Sequence, residues 1–430
     1  MENTNPRREF LAKTAGAALT TSLFTGAVKG ANDRVRIGHI GMGRMGRGNL
    51  GHSMKQDNVE IAAVCDVYKP HLEQAVEMTK GQAKGVRDFR EILADKSIDI
   101  VGISTPDHWH AYMTVEACKA GKDVYVEKPI CVTIDEGQKM VAAARKYKRV
   151  VQAGTMQRSG VHFQKAAEIV KSGDLGKICF VRTWNYGNMA QEGIGNPPDG
   201  EPPSDLDWDM WLGPAPRREF NKNRFGVDPK AFSHFRWFWD YAGGMMTDWG
   251  IHLLDIVHMA MNEAMPSSIT SLGGKFWLND NRDTPDTLQV TYEYPGFIAT
   301  YENRNSNGQS MFEKSYGITF HGSKGTLFVD RSMYKLIPER GATLEAVEAK
   351  SSNNANDAHW RNFLECVKTR QKPASDIEIC NRSTAACLLG NIALRSKLRV
   401  DFDARTWTVA QKEARKFTAR EERKPWRIVV

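Results

Sequence analysis

The chain has 430 residues, 41% of them hydrophobic, and 59 Lys and Arg against 51 Asp and Glu give it a formal net charge of +8. A chain of this length is usually too long to fold around one hydrophobic core, so we predict two domains. The basic residues are dispersed except for a cluster over 412–427, which we interpret as a solvated helix face because no nucleic-acid-binding motif accompanies it.

The segment over 1–30 is predicted to be a targeting signal rather than part of the fold. Arg7 and Arg8 precede Phe10 and a mildly apolar run over 11–28 that is rich in Ala, Thr and Gly. Paired arginines in this setting resemble the twin-arginine signal, which directs folded proteins across the bacterial inner membrane. We therefore expect a bacterial protein that is periplasmic or otherwise exported, with no stable membrane anchor; a disordered basic tail is the alternative. The seven cysteines form no C-x-x-C pair, so we expect no disulfide framework.

The stretch over 35–66 predicts a strand, a glycine turn, a helix and a second strand that ends in a carboxylate. The residues of the turn, a G-x-G-x-x-G, are Gly41, Met42, Gly43, Arg44, Met45 and Gly46. Because Asp66 closes the following strand, the motif indicates a dinucleotide-binding (Rossmann) fold with a pyrophosphate at the helix N-terminus. Asp66 would accept hydrogen bonds from the adenosine ribose and repel a 2′-phosphate, which favours NAD over NADP, although Lys69 weakens that preference. The alternative is an ordinary turn between a strand and a helix.

Strands and helices continue to alternate after Asp66, which is typical of a parallel sheet. The apolar run over 98–104 predicts a buried strand, and Thr105-Pro106-Asp107-His108 follows it. A strand over 124–126 precedes Glu127-Lys128-Pro129. We place the dinucleotide-binding domain at 31–154.

Three segments of this domain should meet at one crevice, because ligands of such folds bind outside the carboxyl ends of the strands. The segments are 105–110, 127–129 and 154–158. Besides the glycine turn and Asp66, the residues predicted to contact the cofactor are Ser104, Thr105, His108, Glu127 and Lys128. Gln157 and Arg158 are predicted to contact the substrate.

From residue 155 the pattern changes to that of a second domain, over 155–430. A strand over 177–186 alternates as an exposed-face strand would, and hairpins follow between 267 and 337. Strands without intervening helices favour an antiparallel sheet. We expect helices near 359–367 and 383–395 to close this domain.

Three residues carry the chemistry that we predict. Lys128, at the carboxyl end of a strand, could hold a substrate hydroxyl and stabilise the alkoxide formed on oxidation; the alternative is a surface lysine in a turn. Asp248 and His252 are four residues apart, which places them on one face of a predicted helix. A neutral histidine can accept a proton near neutral pH, and the aspartate could orient it or bind a second hydroxyl. A core histidine satisfied by a neighbouring aspartate explains that pair equally well.

Six of the eleven tryptophans fall between residues 184 and 249. Sugar rings stack on such side chains, although large core aromatics are the commoner explanation. We place Trp237 at the substrate pocket. His108 and His110 superficially suggest a metal pair, but no third ligand accompanies them, and we predict no metal site.

The motifs together resemble the glucose–fructose oxidoreductase/inositol dehydrogenase (Gfo/Idh/MocA) family over residues 35–395. The matching pieces are the glycine turn, Thr105-Pro106-Asp107-His108, Glu127-Lys128-Pro129 and Asp248-x-x-x-His252. The resemblance implies a Rossmann domain followed by an α/β domain whose large, mostly antiparallel open sheet forms oligomer contacts, so we expect a dimer or tetramer. It implies that His252 removes the hydroxyl proton of a sugar, cyclitol or glycoside, that Lys128 polarises the same oxygen and that Asp248 fixes the neighbouring geometry.

The predicted export signal bears on the reaction, because the periplasm offers no ready NAD pool. An exported enzyme of this type should carry its NAD tightly bound and regenerate it in place. Oxidation of one sugar followed by reduction of a second substrate meets this condition, and an NAD-dependent oxidoreductase is the leading hypothesis. An NAD-dependent glycosidase meets this condition too. Such an enzyme oxidises a sugar hydroxyl, eliminates the aglycone, adds water and then reduces the sugar again, which regenerates the NAD. The third hypothesis is a non-catalytic protein that binds a sugar or the cofactor.

Overall fold

The computed structural model describes residues 34–225 and 234–430, so the predicted export signal lies outside the described residues. The strands of the first sheet are β1 (Val35–Ile40), β2 (Val59–Cys65), β3 (Lys84–Val86), β4 (Ile100–Ile103), β5 (Asp123–Val126) and β6 (Val151–Ala153). They are parallel and lie in the order β3-β2-β1-β4-β5-β6. The order reverses between β1 and β4, which is where doubly wound sheets bind their ligands. The predicted Rossmann fold is confirmed.

Helices of the first domain begin at residues suited to that position. These helices are α1 (Arg44–Met54), α2 (Lys69–Met78), α3 (Phe89–Ala94), α4 (Asp107–Lys119) and α5 (Ile134–Lys146). The Asp88 side chain accepts a hydrogen bond from the Arg90 amide at the start of α3, and Thr133 and Glu136 form a capping box at the start of α5. All residues of β4 and β5 are buried, as expected of strands that helices cover on both faces.

The second sheet has ten strands and is mostly antiparallel, as predicted. Its strands are β7 (Ile178–Tyr186), β8 (Ser268–Gly274), β9 (Thr287–Tyr294), β10 (Phe297–Arg304), β11 (Tyr316–Gly322), β12 (Gly325–Val329), β13 (Met333–Pro338), β14 (Val347–Lys350), β15 (Val400–Asp403) and β16 (Thr408–Val409). Their order is β14-β13-β12-β11-β7-β10-β9-β8-β15-β16, and β7 pairs with β10 in parallel. The prediction of an exposed-face strand at 177–186 does not describe β7, which lies between β11 and β10 and buries its last four residues.

Helices join this sheet to the first domain through one continuous hydrophobic core. The helices of the second domain are α6 (Val161–Ser172), α7 (Trp208–Leu212), α8 (Lys222–Phe225), α9 (Gly244–Asp248), α10 (Gly250–Ala260), α11 (Ala355–Thr369), α12 (Ile377–Ser396) and α13 (Lys412–Arg415). All residues of α10 except Met259 are buried, because α10 packs against α6, α12 and β7. α12 also packs against α5 of the first domain. None of the helices in the described ranges is long and apolar enough to cross a membrane.

The C-terminal residues after α13 return to the first domain instead of forming the helix face that we predicted for 412–427. Arg420 donates hydrogen bonds to a carboxylate oxygen of Glu136 and to the carbonyl of His108, both at 2.7 Å. The Trp426 ring packs edge-on against Trp109, with 4.9 Å between the ring centroids. Arg420 and Trp426 therefore hold the C-terminal segment against the first domain.

Candidate active site

The three glycines of the turn after β1 have three different surroundings. Gly41 has φ +85°, a conformation that favours glycine, and a Cβ there would lie 2.7 Å from the amide nitrogen of Thr105. A Cβ on Gly43 would meet no atom within 4 Å, since this residue borders open space. A Cβ on Gly46 would overlap the carbonyl oxygen of Gly41. These are the roles that a dinucleotide-binding turn assigns to its glycines: the tight turn, the approach of the phosphates and the close packing of helix on strand.

Asp66 lies at the end of β2, beside the glycine turn. Its carboxylate accepts hydrogen bonds from the backbone amides of Met42 at 2.6 Å and Tyr68 at 2.8 Å. Lys69, which we expected to weaken the preference for NAD, instead lies 3.4 Å from the Glu73 carboxylate and is mostly exposed. The surroundings of Asp66 therefore suit an adenosine ribose without a 2′-phosphate.

A cavity extends from the glycine turn along the carboxyl ends of the strands. Ten of the predicted cofactor and catalytic residues line it, namely Gly41, Gly43, Arg44, Met45, Asp66, Ser104, Thr105, Glu127, Lys128 and Asp248. The opposite wall consists of residues from the aromatic segment between β7 and α9, namely Met210, Trp211, Phe225, Phe235 and Arg236. A cavity with this lining fits an extended ligand that has a phosphate end and an aromatic end.

Lys128 and Asp248 meet at the edge of this cavity. Lys128 Nζ lies 2.8 Å from Asp248 Oδ1, and Nη1 of Arg236 approaches the same oxygen at 2.5 Å. Burial opposes ionisation of Asp248, but the charges of Arg236 and Lys128 outweigh it and lower the pKa of this carboxyl. Asp248 is therefore a carboxylate that fixes the position of the lysine ammonium.

His252 lies one helical turn after Asp248. The expected single helix is two consecutive helices, because α9 ends at Asp248 and α10 begins at Gly250. Burial, together with the charges of Arg331 and Lys128, lowers the pKa of His252 well below its usual range, so the imidazole is neutral at pH 7. Its Nδ1 is enclosed without a hydrogen-bond partner in the described part of the chain, whereas Nε2 is not among the enclosed atoms without a partner.

Behind Lys128, a short hydrogen-bond network connects Glu127 to α1. Asn49 donates hydrogen bonds from Nδ2 to the Glu127 carboxylate at 2.9 Å and to Ser104 Oγ at 3.0 Å. The Glu127 carboxylate also accepts a hydrogen bond from the Lys128 amide at 3.2 Å. Burial raises the pKa of Glu127. The network fixes the carboxyl ends of β4 and β5 relative to the glycine turn.

Asp107, the first residue of α4, is a buried acid in the wall of the cavity. It is 7% exposed, and its carboxyl group forms no hydrogen bond with any described residue. Burial raises the pKa of Asp107 to about 8, although Lys128 and Arg236 pull it in the other direction. A carboxyl group that is protonated at neutral pH can donate a hydrogen bond to a bound ligand.

Family models match almost the whole described chain. The model of the Gfo/Idh/MocA oxidoreductase family with its NAD-binding Rossmann fold matches residues 35–155, and the model of its C-terminal α/β domain matches residues 161–428. The chain belongs to the Gfo/Idh/MocA oxidoreductase family. Its N-terminal domain is therefore an NAD-binding Rossmann domain, and the resemblance that the motifs indicated is confirmed.

Curated relatives match about a third of this chain. Inositol 2-dehydrogenase of Salmonella paratyphi B is 30% identical over 154 residues, which are 35% of this chain and 46% of that protein. A glycosyl hydrolase family 109 protein of Shewanella pealeana is 32% identical over 158 residues, which are 34% of either chain. The chain thus spans less than half the length of these curated relatives.

Solved structures share the whole architecture of the family. The WlbA dehydrogenase of Bordetella pertussis in complex with NADH and UDP-GlcNAcA superposes with a TM-score of 0.65, at 18% identity, over 86% of this chain and 99% of that chain. This similarity shows the fold.

Seven of the residues predicted at the site are not among the described residues that line the cavity, namely Met42, Gly46, His108, Gln157, Arg158, Trp237 and His252. His108 is completely buried, and its Nε2 lies 3.0 Å from the Trp211 carbonyl. Arg158 is buried between the carboxylates of Asp255 and Glu263, each at 2.8 Å. Both residues follow the carboxyl ends of strands, as predicted, but neither side chain points into the cavity.

Gln157 and Trp237 have structural contacts as well. Gln157 Nε2 donates a hydrogen bond to the carbonyl of His252 at 2.9 Å, so it supports the histidine from behind. The Trp237 ring faces the Arg282 guanidinium, 4.3 Å from the ring centroid, and Trp211 lines the cavity in its place. No group of three metal-ligating side chains capable of holding an ion occurs in the ranges 34–225 and 234–430.

Sequence reasoning missed Arg236 and Asn49. Arg236 lies twelve residues before Asp248 in an aromatic segment without a recognisable motif, so only the fold brings it to that carboxylate. Asn49 has a weak signal, since it lies one helical turn after Gly46 and faces the sheet.

Proposed function

We propose that this protein oxidises a hydroxyl group of a sugar, cyclitol or glycoside with NAD bound in the cavity described above. The observation that carries the proposal is the contact between Lys128 and Asp248 at 2.8 Å, beside the glycine turn and one helical turn before the neutral His252. Oxidation of a hydroxyl group removes its proton and a hydride. This reaction requires an ammonium donor and a neutral imidazole next to the dinucleotide cavity.

The residues divide this work between them. Lys128 donates a hydrogen bond to the substrate hydroxyl oxygen and stabilises the negative charge that develops there. His252 accepts the hydroxyl proton at Nε2. Asp248, held by Arg236, keeps the ammonium oriented without titrating, because its pKa lies below the working range. Bound NAD supplies the hydride acceptor. The glycine turn and Asp66 fit its pyrophosphate and ribose, as the open space at Gly43 indicates.

The proposal is tested on the purified protein and on single-residue variants. We expect denaturation to release NAD and a sugar panel to reduce the bound nucleotide. Lys128→Met and His252→Asn should each lower turnover by roughly 100-fold or more, whereas Lys335→Met, a matched change at an exposed lysine that pairs with Glu348, should not. A protein that neither carries nor binds a dinucleotide, or that turns over equally well without Lys128 and His252, would refute the proposal.

A redox-cycling glycosidase is the second candidate, because the chain is 32% identical over 158 residues to a glycosyl hydrolase family 109 protein. Such an enzyme would cleave aryl glycosides without added NAD and would incorporate solvent deuterium next to the oxidised carbon. Oxidation of free sugars without glycoside cleavage would exclude it.

We further propose that the protein is exported through the twin-arginine pathway as a homo-oligomer with NAD already bound. Arg7 and Arg8 before an apolar run support the export, and a requirement for folding around a cofactor explains why this pathway would be used. Replacing both arginines with lysine should leave the protein in the cytoplasm. Native mass spectrometry of the exported protein reports its bound NAD, its subunit number and its mature N-terminus, and a nucleotide-free monomer would contradict the proposal.

A further inference from the structure

We propose that Arg331, stacked on Trp249 beside His252, binds a carboxylate of the substrate, so that the preferred substrate is a sugar acid or a glycoside of one. This inference rests on the proposed dehydrogenase function and names the substrate class of the same site.

Arg331 is fixed next to the catalytic histidine. It lies in the turn between β12 and β13, with its guanidinium 4.6 Å from the ring centroid of Trp249. Its Nε donates a hydrogen bond to Gln157 Oε1 at 2.9 Å, and Gln157 in turn donates to the His252 carbonyl at 2.9 Å. Gln157 therefore connects the guanidinium directly to the first turn of α10.

The charge of Arg331 has no partner in the described part of the chain. No described carboxylate forms an ion pair with it. The adjacent Asp330 is engaged elsewhere, since its carboxylate accepts hydrogen bonds from the amides of Ser332 at 2.8 Å and Met333 at 2.9 Å and lies 3.5 Å from Lys314 Nζ. A partly buried guanidinium in this situation is unfavourable unless a ligand supplies the opposite charge.

Arg158 shows how another buried arginine near His252 is neutralised. Arg158, which is more deeply buried, has two carboxylates as partners, those of Asp255 and Glu263. Arg331 has only an amide oxygen and an aromatic face. Arg331 therefore differs from Arg158 in that no described carboxylate contacts it, although it lies beside His252.

The remaining donors of Arg331 match a carboxylate. Because Nε is occupied by Gln157, the two terminal nitrogens are left to bind one planar anion. Trp249 is partly exposed and lies 4.6 Å from the Tyr316 ring, which together offer an apolar surface for a sugar face. A single unpaired cation fits the one charge of a carboxylate better than the two charges of a phosphate.

Binding of such an anion would also act on His252. The charge of Arg331 contributes to the lowered pKa of this histidine. A carboxylate on Arg331 would cancel part of that effect, so the imidazole would become a better proton acceptor when an acidic substrate is bound. The same contact would thus favour both binding and turnover of sugar acids.

The test measures kcat/KM of the holoenzyme for neutral sugars, for the matching uronic acids and for sugar phosphates. We expect the wild-type protein to prefer uronic acids over the matching neutral sugars by about tenfold or more. Arg331→Gln should bring this ratio close to one, and Arg331→Lys, which keeps the charge but not the planar donor pair, should give an intermediate ratio. Arg304→Gln is the matched control, because Arg304 stacks on Tyr186 at 3.7 Å on the second sheet, away from the cavity.

Calorimetric binding of uronic acid and neutral sugar to the holoenzyme provides a readout that does not depend on turnover. Equal use of acids and neutral sugars, a preference for sugar phosphates, or an unchanged ratio in both Arg331 variants would overturn this inference and leave the proposed dehydrogenase intact. If no sugar of any class reduces the bound nucleotide, the proposed function fails and this inference fails with it.

Discussion

Two alanine substitutions in the glycine turn should fail in different ways. At Gly43 a Cβ would meet no protein atom within 4 Å and would project into the cavity, whereas at Gly46 it would overlap the Gly41 carbonyl. Gly46→Ala must therefore push α1 away from β1, and overpacking of this kind costs about 1–3 kcal/mol. In a protein of this size we expect the Tm to fall by roughly 1–4 °C. Gly43→Ala should keep the wild-type Tm but lose most of its affinity for NAD.

The assay combines thermal unfolding, with and without saturating NAD, and the amount of nucleotide that each variant retains on purification. Gly48→Ala is the control, since Gly48 lies in α1, is exposed and has no atom within 4 Å of an added Cβ. Alanine is the better helix former by about 1 kcal/mol, so this variant should be at least as stable as the wild type and bind NAD normally. Wild-type NAD binding in Gly43→Ala, or wild-type stability in Gly46→Ala, would refute the assignment of the turn.

Three further predictions concern the acids of the site. Asp248→Asn removes the negative charge that Lys128 and Arg236 share, so turnover should fall by roughly 100-fold while the affinity for NAD changes little. Equal losses of turnover and of NAD affinity would contradict the role assigned to Asp248. Burial raises the pKa of Asp107 to about 8, so its carboxyl stabilises the fold fully only below about pH 4 and progressively less up to about pH 8. Asp107→Asn should therefore raise the Tm, relative to the wild type, more at pH 8 than at pH 5, and a pH-independent difference would count against it. Asp66→Ala should weaken NAD binding and reduce the preference for NAD over NADP by about tenfold in calorimetry; an unchanged preference would show that the carboxylate does not face the ribose.

The parts of the site that are encoded locally could be predicted from the sequence. The glycine turn, Asp66 and Lys128 each follow a strand that the apolar pattern of the sequence predicts. A parallel sheet brings the carboxyl ends of its strands together. Asp248 depends on the fold for its partner, but its spacing from His252 already indicated that the two act together. The contact between Lys128 and Asp248 joins residues 120 positions apart, and only the packing of α9 against the first domain creates it.

The predictions that were wrong concern the direction in which a side chain points. His108 follows the correct strand, but its ring faces Trp211 in the interface between the domains. Arg158 is also at a strand end, and the acids that bind it, Asp255 and Glu263, come from around α10, about a hundred residues later. A pattern of residue types along the chain contains no information about such orientations, and the same limit hid Arg236.

The most direct test of the central claim is the reaction of the purified holoenzyme with a sugar deuterated at the carbon that is oxidised, followed through the reduction of the bound nucleotide. We expect nucleotide reduction to depend on Lys128 and His252, to be slower with the deuterated sugar and to transfer the deuterium to the nicotinamide ring. A holoenzyme that binds the sugar but never reduces its nucleotide, or that does so without deuterium transfer, would contradict the central claim.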